Sequence, residues 1–413
     1  MLSRAVTPPR SGGGPAYLSF TAGSVPSSIT CTRATTKWLP NASQVLTQIA
    51  VNTLGLGYDT GDSKWRAVIE PAATNYATYS QDASQWTAGG GALNVSVTAD
   101  TAVAPDGSTT ADLITVSATA ATRVRHDMTG AGSTDGNVWS IYVKQASGGG
   151  ATDFNYFLIG GFTAGNLAQF TIDYSTGVLT QVLGTSAYTV DAGNGWWRIV
   201  VPLTGLIANE NIYAYLGALS GSGLVPGTTL TAGEKALRWG LQCERGTVPT
   251  SYIPTTTATV TRAADAATYA VTSLPLVGTL GAAGKGVANT SGYGVLATLS
   301  DGTTSNVVSV YYFGGNTILG DMARAGVAQA SFSEAVTVTD ANAIAVAFSS
   351  NDTGCAINGT SEADDVSCTV PSGLSTIKIG AAGDGSVPTP VYLDWIALYP
   401  TRLSAAAMES LTA

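Results

Sequence analysis

The chain has 413 residues, enough for two or three domains that each bury a core of their own. Only 11% of residues are charged and mean hydropathy is +0.20, the reverse of the balance that keeps a chain disordered. A formal net charge of −9 argues against nucleic acid or an anionic membrane as the main partner.

Residues 1–70 are punctuated by Pro8-Pro9 and Gly12-Gly13-Gly14, with short strands expected at 17–20, 28–33 and 64–69. Such a segment has little core of its own and is expected to pack on the next domain or on another chain. The first twenty residues lack the apolar core of a signal peptide, and no run of about 18 apolar residues offers a membrane span. Export is therefore expected by a route other than secretion, such as lysis of a host cell.

From 71 to 266, turn signals recur at β-sandwich spacing. Strands are expected at 94–99, 111–116, 138–144, 154–159, 168–174, 178–183, 196–202 and 211–219. Pro105-Asp106-Gly107, Ser175-Thr176-Gly177 and Asn194-Gly195 mark the turns. At 238–265 (RWGLQCERGTVPTSYIPTTTATVTRAAD) a short apolar strand gives way to Pro249 and Pro254, which a central strand does not tolerate, and then to a stiff Thr-rich exit. The pattern resumes from about 275, with strands expected at 295–299, 306–313, 317–324, 343–349, 376–379 and 391–399. Asn358-Gly359 is a hairpin turn, and Pro400 precedes a short helix capped by Ser404. No window of eleven or more residues has helical period.

The expected fold is therefore all-β: two antiparallel β-sandwich, jelly-roll-like domains in tandem at 71–266 and 267–413. An irregular N-terminal docking segment (1–70) precedes them and a short C-terminal helix closes the chain.

Catalytic signals are thin. His126 is the only histidine, which excludes most His-based triads and multi-histidine metal sites; in RVRHDM it reads as a surface or interface residue. Asp127 beside it points to the opposite strand face. Most Asp residues sit in turns, where backbone geometry selects them. Asp364-Asp365 lacks the acidic ladder of a Ca²⁺ loop, and no cofactor is implied. Cys355 and Cys368 flank the Asn358-Gly359 turn, which leaves open a local disulfide or, with Cys31 and Cys243, four isolated buried thiols.

Aromatic residues are the better lead. Eight Trp and seventeen Tyr outnumber eight Phe, favouring rings with a polar handle. Trp196 and Trp197 are adjacent in an alternating strand, so one is expected to face the core and the other a sugar or a subunit interface. Tyr311, Tyr312 and Phe313 pose the same question in the second block.

Several segments together resemble modular structural proteins of tailed bacteriophages and related prophages. These are RAVIEPAATNYATYSQDASQW (66–86), TADTAVAPDGSTTADLI (98–114), GNGWWRIVV (193–201) and the junction at 238–265, in that order. CTRATT (31–36) echoes the Thr261-Arg262-Ala263 element, and LDWIALYPTRLSAAAMESLT (393–412) resembles the closing strand and helix of a concanavalin A/laminin-G-like sandwich. The resemblance covers about four-fifths of the chain. It implies a non-enzymatic virion component of fibre, spike or decoration type on capsid or tail, with a carbohydrate-binding-module-like sandwich followed by a laminin-G-like one. The implied partners are host surface polysaccharide, other virion proteins and identical subunits, a trimer among the options. Two alternatives stand beside it: a decoration or fibre-base protein that binds no sugar, and a depolymerising tailspike, which needs two converging carboxylates. Cys243 departs from the usual aliphatic residue of the junction, implying a buried thiol there.

Overall fold

The computed structural model describes residues 16–86, 93–120, 122–184, 187–217, 230–272, 276–287, 292–387 and 389–413. Pro8-Pro9, Gly12-Gly13-Gly14 and Leu219 lie outside them. Strands dominate, as expected, and the helix is Ala405–Thr412, with the Ser404 hydroxyl accepting from the Ala407 amide. No helix among the described residues is long and apolar enough to cross a membrane. The fold divides into two compact units, one from 16–36, 49–72 and 263–413, the other from 37–48 and 73–262.

The first unit is a two-layer sandwich. One sheet runs Thr360–Ser361, Gly354–Ile357, Asn342–Phe348, Gly278–Lys285, Val391–Tyr399, Lys64–Ile69 and Leu56–Asp59, with Ala16–Ser19 also paired to Val391–Tyr399. The facing sheet runs Ile29–Thr32, Ala266–Ala270, Thr376–Ile379, Tyr293–Ser300, Val307–Phe313, Thr317–Arg324 and Val327–Ala335. Alternating side chains from both, including Leu280, Leu296, Val310, Ile344, Ile377 and Ile396, fill the space between them. The N-terminal residues, short of a core of their own, contribute Leu18, Phe20, Leu54 and Ile69 to this one. At the Asn358-Gly359 turn both residues have positive φ, 48° and 81°, which suits a two-residue hairpin.

Arg33, from CTRATT, is 2% exposed and donates to Asp265 at 2.6 Å and to the carbonyls of Thr35, Ala50 and Thr53. The other Asp265 oxygen accepts from the Glu70 amide, so this motif is a structural staple.

The second unit is also a sandwich. A five-stranded sheet runs Val124–Met128, Ile212–Leu216, Tyr156–Gly161, Gly165–Ile172 and Leu179–Gly184. It faces a six-stranded sheet of Tyr188–Gly193, Trp196–Leu203, Asn137–Gln145, Lys235–Arg245, Ala111–Val116 and Val95–Ala102. Trp139, Phe157, Ile199, Leu216 and Leu241 belong to the shared core. The junction strand is thus central and eleven residues long, Lys235–Arg245. Its exit is stitched down. Glu244 is buried and accepts from the Thr250 amide and hydroxyl, and Asn75 Nδ2 donates to the carbonyls of Leu241 and Ile253.

All four cysteines are free and buried, so the Cys355–Cys368 disulfide left open by the sequence is not formed. Cys355 points into the sandwich core, while the Cys368 sulfur lies 2.8 Å from the Thr353 hydroxyl. Cys243 is fully buried, and burial pushes its thiol pKa up. His126 is likewise inside, 5% exposed and stacked on Trp86 at 5.7 Å, which corrects the expected surface position. Its neighbours on Val124–Met128 alternate, so Arg125 and Asp127 face outward while His126 joins the buried set.

Candidate functional site

None of the eight tryptophans is exposed; Trp86, Trp139, Trp196 and Trp239 are buried and the rest half-buried. Trp196 and Trp197 do point to opposite faces of their strand, yet neither is exposed. Trp197 packs against the inter-sheet core and donates its indole N–H to the Tyr174 carbonyl at 2.8 Å. Trp196 is 1% exposed on the far face, where Leu46, Tyr142, Trp239, Tyr252 and the half-buried Trp38 cover it. Trp38 and Leu46 come from the 37–48 segment, tied down by the Leu46 amide donating to the Pro105 carbonyl, and Tyr252 comes from the exit of Lys235–Arg245. Alternation told the two faces apart; it carried no sign that the outer one is roofed.

Tyr312 is also interior, 1% exposed, with its hydroxyl donating to the Gly284 carbonyl at 2.7 Å. Tyr311, one residue earlier, lies on the outward face of the first unit's seven-stranded sheet. Phe313, raised with it by the sequence, and Tyr293, which the sequence did not single out, join it there. Tyr293 and Phe313 are directly cross-strand partners, 48% and 43% exposed. Their ring centroids are 5.0 Å apart, and Tyr293 lies 5.4 Å from Tyr311. Side chains opposite one another on antiparallel strands are brought together by the ladder itself.

The polar side of this platform is Asp321. One of its oxygens accepts from the Tyr311 hydroxyl and the other from Ser331 Oγ at 2.7 Å. Burial, then the hydrogen bond and charge of Asp321, push the Tyr311 phenol above its ordinary range, so it stays a donor. The Ser309 hydroxyl, 3.2 Å from that of Thr298, continues the polar rim. The arrangement pairs a half-exposed three-ring platform with a carboxylate fixed by two hydroxyls. A saccharide ring needs those two features: an apolar surface for its C–H face and oriented acceptors for its hydroxyls. The ring pair is legible in the sequence, since Tyr293 and Phe313 are aromatic at the open ends of strands flanking a turn. The role of Asp321 depends on register, which no spacing in the sequence reveals.

Asp364 and Asp365 have other employment. Asp364 pairs with Arg402 at 2.7 Å, and Asp365 Oδ1 accepts from the Ser367 amide. Among the described residues no group of three or more His, Cys, Asp or Glu side chains is placed to hold a metal ion.

No protein-family model and no curated protein matches the chain. Among solved structures, it is similar to the CBM40 module of Ruminococcus gnavus IT-sialidase bound to α2,3-sialyllactose. That match has 14% identity, covers 33% of this chain and 83% of the other, and has a TM-score of 0.29. A native heptameric SAP-like pentraxin from Limulus polyphemus matches at 10% identity, over 33% of this chain and 70% of that one, with a TM-score of 0.25. The binding domain of botulinum neurotoxin serotype D matches at 9% identity, over 36% of this chain and 40% of that one, with a TM-score of 0.29.

Proposed function

We propose that the protein is a non-enzymatic adhesion component of a bacteriophage virion that displays β-sandwich domains to host surface glycan. The observation that carries the glycan reading is the outward platform of Tyr293, Tyr311 and Phe313 beside the hydroxyl-anchored Asp321. The virion role rests on the ordered segment resemblance at 66–86, 98–114, 193–201 and 238–265. Binding without turnover is favoured because the outward positions of Val307–Phe313, Thr317–Arg324 and Val327–Ala335 offer a single carboxylate, Asp321, where glycoside hydrolysis uses a pair. Single-site affinity for a sugar is weak, and display in many copies makes it useful.

A second reading, assembly into the particle without sugar binding, is favoured by a different surface. Leu179–Gly184 and Tyr188–Gly193 are sheet-edge strands, and around them Val178, Val182, Leu183, Tyr188 and Val190 are 39–60% exposed. Open apolar edges are the ones proteins pair or cover, so an identical subunit is the natural occupant.

The direct test applies purified full-length protein, clustered on beads for valency, to an array of bacterial surface polysaccharides and to whole cells. Binding to a restricted set supports adhesion. No binding at high valency leaves the assembly role alone.

A further inference from the structure

The second unit carries another outward aromatic face, built from different chemistry. On its five-stranded sheet, Val124–Met128, Ile212–Leu216 and Tyr156–Gly161 are neighbours. Alternation sends Arg125, Asp127, Tyr213 and Tyr215 to one side, away from Met128, Ile212 and Ala214 in the core. Tyr213 lies flat because the position beneath it is Gly160, where a Cβ would stand 2.5 Å from the Tyr213 hydroxyl. That hydroxyl reaches across the strand to donate to Asn166 Oδ1 at 2.7 Å, a bond that does not use the Asn166 NH₂. Phe162, 54% exposed, meets Tyr213 edge-on at 5.7 Å.

Arg125 is fixed at the centre. Its Nε and Nη2 donate to the two oxygens of Asp127 at 2.6 and 3.0 Å, and its Nη1 donates to the Tyr215 hydroxyl at 2.8 Å. Its guanidinium stands over Phe162, Tyr213 and Tyr215, 5.1–5.5 Å from their centroids. A bidentate Arg–carboxylate pair enclosed by rings keeps both partners in one geometry without contacts from the core. A rigid ring platform flanked by an oriented carboxylate, an amide and a guanidinium matches a sugar with adjacent hydroxyls. The ring's C–H face would lie on Phe162, with Tyr213, edge-on to it, as the side wall. Its vicinal hydroxyls would donate to Asp127 and accept from Arg125 and Asn166.

We infer that this face is a second saccharide-binding site, separate in sequence and in unit from the Tyr293–Tyr311–Phe313 platform. The inference rests on the reading of the chain as a glycan-binding protein, and its test separates the two. The isotopically labelled full-length chain is titrated with maltotetraose, mannotetraose, chitotetraose and tetragalacturonic acid while backbone amide shifts are recorded. Shifts clustered at 125–127, 162, 166 and 213–215 with at least one probe are expected. Phe162→Ala should weaken the binding read at these amides about tenfold, the loss of one stacking ring. Tyr215→Phe, which keeps the ring and removes one Arg125 contact, should weaken it less. Both variants should melt as the parent does, since Phe162 is half in solvent and Tyr215 keeps its ring. Shifts confined to 293, 311 and 313 would overturn the second site and leave the proposed function standing. Shifts at neither face would overturn both. Shifts here that survive Phe162→Ala unchanged would overturn the ring-stacking assignment.

Discussion

Two aromatic clusters of similar size have opposite fates in this protein. Around Trp196, the rings of Tyr142, Trp239 and Tyr252 meet at 4.5–6.2 Å and all four are under 5% exposed. Around Tyr311, the rings of Tyr293 and Phe313 pack as closely but remain nearly half in solvent. The first cluster stabilises: four large side chains withdraw from water on the far side of a sheet whose other face already has a core. The second contributes little to folding and keeps ring surface available. The difference is the roof, supplied by Trp38 and Leu46 from residues 37–48 and by Tyr252. A Trp-rich strand is therefore no guide to a ligand surface until what covers it is known.

The comparison can be broken first at its buried side. Trp239→Ala should cost the second unit about 3–5 kcal/mol in denaturant unfolding, the range for truncating a buried large aromatic. A loss below about 1 kcal/mol would mean the cluster is as open as the Tyr311 platform. The buried ion pair of the first unit should respond on a similar scale. Asp265→Ala leaves Arg33 charged and enclosed, at about 3–5 kcal/mol, and makes the Arg33 motif structural rather than functional.

Next in size is a pH effect within the second unit. Burial lowers the His126 pKa from 6.5 to about 4, so the fold favours the neutral ring. Its contribution is complete above pH 6.5 and is lost as pH falls from 6.5 to about 4, about 3 kcal/mol in all. Asp112 runs the other way. Burial raises its pKa from 3.8 to about 6, so the folded state gains relative to the unfolded one as pH falls through 6 toward 3.8. The parent profile is thus a partial cancellation. Asp112→Asn should steepen the loss of stability on the acid side, and His126→Phe should reverse its sign. Unfolding midpoints measured from pH 7 to pH 4 distinguish these outcomes from a flat profile in all three proteins.

The smallest stability effect belongs to the open platform. Phe313→Ala should change unfolding free energy by no more than about 0.5 kcal/mol, as exposed positions do. It should nevertheless weaken glycan binding about tenfold, a shift of about 1.4 kcal/mol.

Much of the strand map was legible because half-buried strands write their alternation into the sequence. Lys64–Ile69, Ala111–Val116, Thr317–Arg324, Thr376–Ile379 and Val391–Tyr399 have the limits read from pattern and turn residues alone. Gly278–Lys285 did not, though it is central to its sheet. Its sequence, GTLGAAGK, is poor in the residues that favour strands. Small residues are required there: a Cβ on Gly281 would meet Trp395 at 3.2 Å and Leu411 at 3.3 Å, and one on Gly284 would fall 2.3 Å from the Tyr392 carbonyl. The sequence singled out the candidate site through Tyr311 and Phe313, and not through Tyr293 or Asp321. Ring type alone marks Trp196, Trp197 and Tyr312, and what packs on them comes from segments distant in sequence. Arg125 and Asp127 flank His126 in sequence, and the ring cluster around them depends on Tyr213 and Tyr215, some ninety residues away.

The most direct test of the central claim compares the full-length parent with Tyr293→Ala/Phe313→Ala on the same polysaccharide array and host cells, with melting temperatures measured alongside. The account predicts unchanged melting and weakened or lost binding to any glycan held by the Tyr311 platform. Undiminished binding by the double variant to every glycan the parent recognises would contradict it.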